Sequence, residues 1–442
     1  MRRSDFRRAA RLAGAAGLVA AAHGTPIAAA VTPPPVDRTL LPAAARPAPP
    51  QRTVQREVCT VPAPDPQPGG PSQLDGLDLP AAWALTRGAG QLVAVIDTGV
   101  APHRRLPGLI GGGDYVFTGD GTQDCDGHGT LVAGIIAAAP DPTTDRFSGV
   151  APLATVIGIR QSSAKFGAAD AGQHAGVGDV GTLAAAVRTA ADLGASVINI
   201  STVACRAVGS GFDDRALGAA LAYAVETRNA VVVAAAGNTG DGEACDAGAG
   251  VAVSPAWYDD YVLTVGSVDG RGAASAFTRP GPWVDVAAPG EAVRSLSPIG
   301  DGLAGGAGAE QAIHGTSFAA PVVSGLAALL RSRFPDWTPR QVMDRIRATA
   351  HHPPGGRDDA VGAGEIDPLA ALSPEAPSAP PSTAAPTPPP AEAAPAAAPG
   401  PGGQRTALTY TGALLAVLAA AVTGRAAAAR RPGSAADPPA GR

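Results

Sequence analysis

The chain has 442 residues, 45% of them hydrophobic and only 4% aromatic, and its formal net charge at pH 7 is −5. A charge this small for the length excludes an extended basic surface, so we expect no nucleic acid as a partner. The length allows two or three average domains, or one large α/β domain with additional segments.

The first thirty residues have the composition of an export signal. Arginines are concentrated between positions 2 and 11, the uncharged stretch LAGAAGLVAAA follows, and residues 27–30 are IAAA. A charged start, an apolar middle and small residues at the end are typical of secretory signal peptides. A basic amphipathic helix is the alternative. We predict a signal peptide over residues 1–30, which places the following residues outside the cytoplasm.

Four cysteines follow in the exported part, namely Cys59, Cys125, Cys205 and Cys245. An even number of cysteines in an oxidising compartment favours two disulfides over metal ligation, and no pair has C-x-x-C spacing. Four cysteines allow three pairings, and their positions in the sequence do not choose among them.

Residues 31–73 are rich in proline and alanine, a composition that resists forming a core of its own. From residue 74 to residue 372 the pattern changes to short, apolar runs rich in Val and Ile. These runs are LVAVI (92–96), TVIGI (155–159), SVINI (196–200), AVVVAA (230–235) and YVLTVG (261–266). Such runs are typical of parallel strands that are buried on both faces.

Amphipathic stretches lie between these runs, for example at 181–195 and 213–229. The alternation of buried strands with amphipathic helices predicts an α/β domain over residues 74–372, with three layers and a mostly parallel sheet. In such sheets ligands bind beyond the carboxyl ends of the strands, and we expect the functional side chains there.

The C-terminal part has a different organisation. Residues 373–406 are rich in proline and predict a semi-rigid linker. Residues 407–424 carry no charge, and as a helix they would cover about 27 Å, enough to cross a bilayer once. A buried core helix is the alternative. Arg425, Arg430 and Arg431 follow, so we predict a membrane span at 407–424 and a cytoplasmic tail at 425–442.

Three side chains of the predicted domain have the chemistry of nucleophilic catalysis. Asp97 directly follows the run LVAVI, His128 lies in DGHGT just before an apolar helix, and Ser317 opens a long apolar helix. A serine becomes a competent nucleophile when an imidazole accepts its proton and a carboxylate orients that imidazole. We therefore assign Ser317 as the nucleophile, His128 as the base and Asp97 as the orienting carboxylate.

Two further residues need an assignment. His314 is nearer to Ser317 in sequence, but it precedes the serine on the same loop, whereas His128 comes from another element. We interpret His314 as structural or as part of the rim. Asn238 follows the run AVVVAA and a glycine, so its amide is placed at a strand end to donate to the oxyanion of a carbonyl under attack.

The residues Asp97, His128, Asn238 and Ser317 lie in the segments VIDTGV, DGHGTLVAGIIA, AAAGN and GTSFAAPVVSGLAALL, in that order. This arrangement resembles the subtilisin-like serine proteases. The resemblance implies their fold and the hydrolysis of peptide bonds through an acyl-enzyme, without a cofactor. No loop contains a dense run of Asp and Asn, so we also expect no required metal.

Within that family the sequence is most similar to the mycosins, the membrane-anchored proteases of actinobacterial type VII secretion systems. The similarity rests on Phe318, on Cys205 soon after VINIS, on the glycine-rich loop 167–181 and on the C-terminal linker and span. It implies an N-terminal extension wrapped around the domain. It also implies exported protein substrates, a membrane secretion complex and the lipid bilayer as partners, with the catalytic domain outside the cytoplasm.

The same resemblance implies several contacts. A substrate peptide is expected to pair its backbone with Asn199, Ile200 and Ser201. One wall of the pocket is expected to consist of Ala235, Ala236 and Gly237. The disulfides are expected to be Cys59–Cys125 and Cys205–Cys245.

Other functions fit less well or stay open. The DTG tripeptide at 97–99 also occurs in aspartic proteases, but their mechanism needs a second such aspartate and the chain has no other DTG or DSG. An α/β-hydrolase esterase needs G-x-S-x-G, whereas residues 315–319 have G-x-S-x-A. The open alternative is an exported scaffold that stabilises the membrane secretion complex and in which proteolysis is dispensable.

Overall fold

The structure is a computed structural model. It describes residues 32–374 except 68, 171, 173–175, 241–243, 247–249 and 306–311, all within one unit that ends at Ser378. The predicted signal peptide, membrane span and cytoplasmic tail, and the linker beyond residue 374, lie outside the described residues. Within the described part, the helices are too short or too polar to cross a membrane.

The strands are numbered in chain order. They are β1 (Thr53–Gln55), β2 (Leu92–Asp97), β3 (Ile110–Asp114), β4 (Thr155–Arg160), β5 (Phe166–Ala168), β6 (Val197–Ile200), β7 (Ala204–Ala207), β8 (Val231–Ala235), β9 (Val251–Ser254), β10 (Val262–Val268), β11 (Val286–Pro289), β12 (Arg294–Leu296) and β13 (Leu303–Gly305).

The helices are numbered likewise. The α-helices are α1 (Leu79–Trp83), α2 (His128–Ala137), α3 (Val180–Asp192), α4 (Arg215–Ala222), α5 (Thr316–Arg333), α6 (Pro339–Thr349) and α7 (Pro368–Leu372). Short 3-10 helices lie at Arg38–Leu40, Asp75–Leu77 and Ala244–Asp246, and a π-helical turn at Tyr223–Thr227 continues α4.

The centre of the domain is a seven-stranded sheet with the order β11–β10–β8–β6–β2–β4–β3. Each neighbouring pair in it is parallel. The five apolar runs of the sequence correspond to β2, β4, β6, β8 and β10. The prediction of an α/β domain with a mostly parallel sheet is therefore confirmed.

Helices cover both faces of the sheet, because alternate residues of a strand point to opposite sides. In β2, Val93 and Val95 belong to the hydrophobic core that contains α2 and α5. Ala94 and Ile96 belong to a second core, which contains α3 and α4. None of these four side chains is accessible to solvent. The domain thus has the three layers that the sequence predicts.

The N-terminal extension contributes a strand to the domain. β1 pairs antiparallel with β5, which lies in the glycine-rich loop after β4. The N–H of Thr60 donates to the carbonyl oxygen of Cys125 at 2.8 Å, and Cys125 forms a disulfide with Cys59. The extension is thereby attached three residues before His128.

A second disulfide, Cys205–Cys245, connects β7 with the 3-10 helix at Ala244–Asp246. The described residues contain no free cysteine. Both disulfides are the pairings that the family resemblance implies.

Two glycines allow the end of β2 and the start of α2 to come close together. A Cβ atom on Gly129 would lie 2.0 Å from the carbonyl oxygen of Gly99 and 3.1 Å from Cβ of Asp97. Gly99 itself has a φ of +104°, and a Cβ there would lie 2.0 Å from the carbonyl oxygen of Gln123. A side chain at either position would push backbone apart, so the glycines set the distance between Asp97 and His128.

Replacing Gly129 by alanine is expected to destabilise the domain, although alanine is the better helix former. The new methyl group would overlap a backbone oxygen, and overpacking of this kind costs about 3 kcal/mol. Gly76→Ala is the matched control, because a Cβ there has no neighbour within 4 Å. Urea unfolding should give a lower midpoint for Gly129→Ala alone, and equal midpoints for both variants would contradict the close approach.

Candidate active site

Four of the predicted site residues lie at one end of the central sheet. Asp97 is the last residue of β2, His128 is the first residue of α2, and Ser317 is the second residue of α5. Asn238 lies three residues beyond β8. Because β2 and β8 both flank β6 in a parallel sheet, their carboxyl ends lie at the same edge. The fold therefore brings together side chains that are far apart in the sequence.

Two consecutive hydrogen bonds connect Asp97, His128 and Ser317. Nδ1 of His128 lies 2.7 Å from Oδ1 of Asp97, and Nε2 lies 3.0 Å from Oγ of Ser317. In the tautomer that carries its proton on Nδ1, the Nδ1–H donates a hydrogen bond to the carboxylate. Nε2 is then free to accept a hydrogen bond from the serine hydroxyl. The Asp97 side chain is fully buried, whereas 28% of the His128 side chain is exposed. The arrangement is that of a general base beside a nucleophile.

The surroundings of His128 have opposing effects on its pKa. Burial of the imidazole lowers the pKa, because it disfavours the charged form. The charge of Asp97 and its hydrogen bond raise it, as do the charges of Asp124 and Asp126, and the net result is a pKa above the ordinary value of 6.5. Since a base must be neutral, its ability to accept a proton falls as the pH drops through this raised value.

The amide of Asn238 is held in one orientation by Thr316. Oδ1 of Asn238 accepts from the backbone N–H of Thr316 at 3.0 Å and from its hydroxyl at 2.9 Å. That hydroxyl in turn accepts from the N–H of Gly237 at 3.2 Å. Because a backbone N–H can bond only to the oxygen of the amide, Nδ2 is the atom left free to donate elsewhere.

Gly315 keeps open the space between the hydroxyl and the amide. A Cβ there would lie 3.1 Å from Oγ of Ser317 and 3.3 Å from Nδ2 of Asn238. Its φ of +150° also disfavours any residue with a side chain. The N–H of Ser317, in the first turn of α5, has no carbonyl of its own helix to bond. Two donors therefore flank one open space beside the nucleophile.

A series of hydrogen-bonded, buried polar side chains ends at the backbone carbonyl of Ser317. The hydroxyl of Ser324 donates to Oδ1 of Asn199 at 2.8 Å, and Nδ2 of Asn199 donates to Oγ of Ser201 at 2.9 Å. The hydroxyl of Ser201 then donates to the carbonyl oxygen of Ser317 at 2.8 Å. These contacts join β6 to the first turn of α5 and fix the position of the Ser317 backbone.

The structure leaves Asn199 and Ile200, which are predicted to pair with a peptide, no free strand edge. Both residues lie in β6, which is hydrogen-bonded to β2 on one side and to β8 on the other. Neither side chain is exposed. Ser201 lies just beyond the strand, but its hydroxyl is used by Ser317. This bond uses the side chain of Ser201, and its backbone lies beyond the paired part of β6.

The three residues of the predicted pocket wall are buried in the structure. Ala235 and Ala236 are at most 1% exposed, so their side chains have no surface for a substrate. Gly237 is buried as well, and its N–H donates to the hydroxyl of Thr316. Gly237 is connected to the amide of Asn238 through this hydroxyl, which donates to Oδ1 of Asn238.

A cavity whose lining includes none of the four site residues, but begins just after Ser201, was not predicted from the sequence. Its volume is about 490 Å³, and it lies beyond the carboxyl ends of β4 and β6. It is lined by Gln161, Ser162, Gly178, Asp179, Val180, Leu183, Thr202, Val203, Ala204, Arg206 and Phe212. The sequence signal for it was the segment 202–204 directly after NIS, three residues further along than the residues we assigned.

The remaining predictions concern His314 and metals. His314 is exposed, its Nδ1 lies 2.9 Å from the carbonyl oxygen of Ala312, and its ring contacts Phe277. These contacts agree with a structural or rim position. In the part of the chain that the structure describes, no three His, Cys, Asp or Glu residues are grouped so as to hold a metal ion.

The chain is similar to known proteins over most of its length. A family model described as the subtilase family matches residues 88–364. Mycosin-4 of Mycobacterium tuberculosis is 59% identical over 427 residues, which cover 93% of this chain and 94% of that protein. The structure of the MycP3 protease from the type VII (ESX-3) secretion system matches with a TM-score of 0.70 and 44% identity, covering 78% of this chain and 100% of that one.

A chain in the structure of an intact ESX-5 inner membrane complex is also similar. It matches with a TM-score of 0.71 and 40% identity, and the match covers 90% of this chain and 100% of that chain.

Asp97→Asn is expected to lower the pKa of His128. The variant removes the attracting charge but leaves the burial that lowers the pKa. Asp170→Asn is the control, since that carboxylate is 96% exposed and makes only a long ion pair with Arg52. An NMR titration of histidine-labelled protein measures the pKa, and equal values in both variants would show that Asp97 does not act on the imidazole.

Proposed function

On the premise that this chain belongs to the subtilase family of serine endopeptidases and, within it, to the mycosins, we propose that Asp97, His128, Ser317 and Asn238 are its catalytic residues. The observation that carries this assignment is the pair of hydrogen bonds from Asp97 through His128 to Ser317, at 2.7 and 3.0 Å. A general base works at a heavy-atom distance of about 2.6–3.2 Å from its proton donor, and His128 meets this requirement.

In the proposed reaction Oγ of Ser317 attacks the carbonyl carbon of a peptide bond while Nε2 of His128 takes the hydroxyl proton. Asp97 keeps the imidazole in the tautomer whose Nε2 is unprotonated and stabilises the imidazolium that forms. His128 then gives the proton to the leaving amine, and an acyl-enzyme remains. Water attacks this ester in the second half of the reaction, with His128 again as the base.

We assign the space beside Gly315 to the oxyanion of the tetrahedral intermediate. Nδ2 of Asn238 and the N–H of Ser317 are its donors. Their positions are set before a substrate arrives, because Thr316 holds the amide of Asn238 and Ser201 holds the carbonyl of Ser317. A single such donor contributes about 3–4 kcal/mol of transition-state stabilisation.

The substrate is proposed to be an extended segment of a protein. Its backbone pairs with the chain beyond Ile200, where β6 has ended and the neighbouring strands no longer occupy its edges. One of its side chains enters the cavity of about 490 Å³, whose apolar lining includes Leu183 and Phe212. Backbone pairing provides affinity, and the cavity provides selectivity.

We further propose that the enzyme acts outside the cytoplasm, anchored to the cell membrane beside a type VII secretion complex. The similar chain in the ESX-5 inner membrane complex supports this location. The corresponding segments are a signal peptide (1–30), an extension (31–73), the peptidase domain (74–372), a linker (373–406), a membrane span (407–424) and a cytoplasmic tail (425–442). Exported proteins are then the accessible substrates.

A second role, as a scaffold of that complex, is favoured by the same relative's place in a membrane assembly. It does not depend on the hydroxyl of Ser317, so one variant separates the two functions. The roles are compatible, and a protein with both loses only cleavage when the hydroxyl is removed.

Ser317→Ala is expected to lower peptide hydrolysis by at least about 10⁴-fold, because the variant lacks the attacking oxygen. Ser210→Ala, at an exposed turn, is the control and should hydrolyse like the parent. Hydrolysis by the purified full-length proteins is measured on a fluorogenic peptide chosen from a library with the parent enzyme. Parental activity in Ser317→Ala would refute the assignment, and normal export in cells that carry this variant would support the scaffold role.

A further inference from the structure

Asp124 is a carboxylate beside the site that the proposed reaction does not use. It lies in the loop that leads into α2, four residues before His128, and it is partly buried. Burial raises its pKa to about 6, against the hydrogen bonds from Thr130 and Thr98, which lower it. A carboxylate kept in such surroundings needs a structural or functional reason.

Each carboxylate oxygen of Asp124 accepts two hydrogen bonds. Oδ1 accepts from the hydroxyl of Thr98 at 2.8 Å and from the N–H of Gly127 at 2.7 Å. Oδ2 accepts from the N–H of Thr130 at 2.8 Å and from its hydroxyl at 2.6 Å. In the sequence, Thr98 directly follows Asp97, and Gly127 and Thr130 lie on either side of His128. One side chain thus holds the two segments that carry the base and its orienting carboxylate.

The residues that Asp124 holds are connected to the catalytic pair by further hydrogen bonds. The hydroxyl of Thr98 accepts from the N–H of Gly129 at 3.0 Å, which joins the end of β2 to α2. The N–H of Thr98 donates to Oδ1 of Asp97 at 2.7 Å, the same oxygen that meets His128. Any shift of Thr98 therefore moves the carboxylate that orients the imidazole.

Asp124 also replaces a missing helix cap. The residue before α2 is Gly127, which has a φ of +80° and no side chain to accept the free N–H groups of the first turn. Asp124 accepts one of these N–H groups, that of Thr130, from outside the helix. This contact connects the first turn of α2, which carries His128, to the loop that precedes it.

We propose that Asp124 is a positioning residue that holds Asp97 and His128 at hydrogen-bonding distance through Thr98 and the first turn of α2. This inference rests on the proposed function, since it concerns the base of that reaction. A displacement of about 1 Å at a catalytic group can cost about 10²-fold in rate, so the loss of such a clamp is measurable.

Asp126 provides a matched control. Like Asp124 it is an aspartate close to His128, and the charge of each raises the pKa of the imidazole. Its oxygens, however, accept from the hydroxyl of Ser163 and the N–H of Ala164, neither of which touches the catalytic pair. Each asparagine variant removes a charge that raises the pKa of His128, so both should move the acid limb of the pH–rate profile to lower pH. Only Asp124→Asn also disturbs the hydrogen bonds to Thr98, Gly127 and Thr130.

Asp124→Asn is expected to lower kcat by about 10²-fold with KM within twofold of the parent, because an NH₂ group then opposes the N–H of Gly127 or of Thr130. Asp126→Asn should keep kcat at its optimum pH within twofold. Both are measured on the full-length protein with the selected fluorogenic peptide over a range of pH. A kcat in Asp124→Asn equal to that of Asp126→Asn would overturn the proposal.

A second set of variants keeps the charge of Asp124. Thr98→Val removes the hydroxyl that joins Asp124 to the Asp97 segment and should lower kcat about tenfold, and Thr98→Ser should restore it. In the double variant with Asp124→Asn the two losses should not add, because they break one network. Additive losses, or losses that follow the urea midpoint and are not rescued by serine, would show that Asp124 only stabilises the fold.

The outcomes separate this proposal from the function on which it rests. Inactive Ser317→Ala together with fully active Asp124→Asn would remove the positioning role and leave the proposed function intact. Active Ser317→Ala would remove both.

Discussion

The hydrogen bond between Asp97 and His128 depends on the close approach of two backbone segments. Glycine is required at positions 99 and 129, where a Cβ would lie 2.0 Å from a backbone oxygen. The imidazole can then reach a carboxylate that is fully buried. A buried charge is favourable only when it is well paired, and here the N–H of Thr98 shares Oδ1 of Asp97 with the imidazole. Main-chain packing is thus the first condition for the chemistry.

The central strand β6 supports the backbone of Ser317, and both of its edges are paired with other strands. Its Asn199 is enclosed by the sheet and bonds Ser324 on one side and Ser201 on the other, and Ser201 holds the carbonyl of Ser317. The cavity begins just beyond the end of β6, at Thr202. The residues that hold Ser317 and the residues that line the cavity are therefore consecutive in one segment.

The sequence predicts the fold, and it predicts which side chains meet at the edge of the central sheet. It does not predict the cavity beyond β6. Strands buried on both faces are visible as apolar runs, but β3 has the sequence IGGGD, which lacks any such signal. Its glycines are needed because a Cβ on Gly112 would lie 2.6 Å from the side chains of Ile157 and Ile159. A sequence does not give the order of strands, so the occupied edges of Asn199 were not predictable. Asp124 was overlooked because its motif was interpreted only through His128.

The central claim is that His128 activates Ser317. The rate constant for labelling of the full-length protein by a fluorophosphonate probe tests it most directly, with the labelled residue identified by mass spectrometry. The account predicts a label on Ser317 and a rate at least about 10²-fold lower in His128→Ala, since general-base catalysis contributes that much. A label on a different serine, or an unchanged rate in His128→Ala, would contradict it.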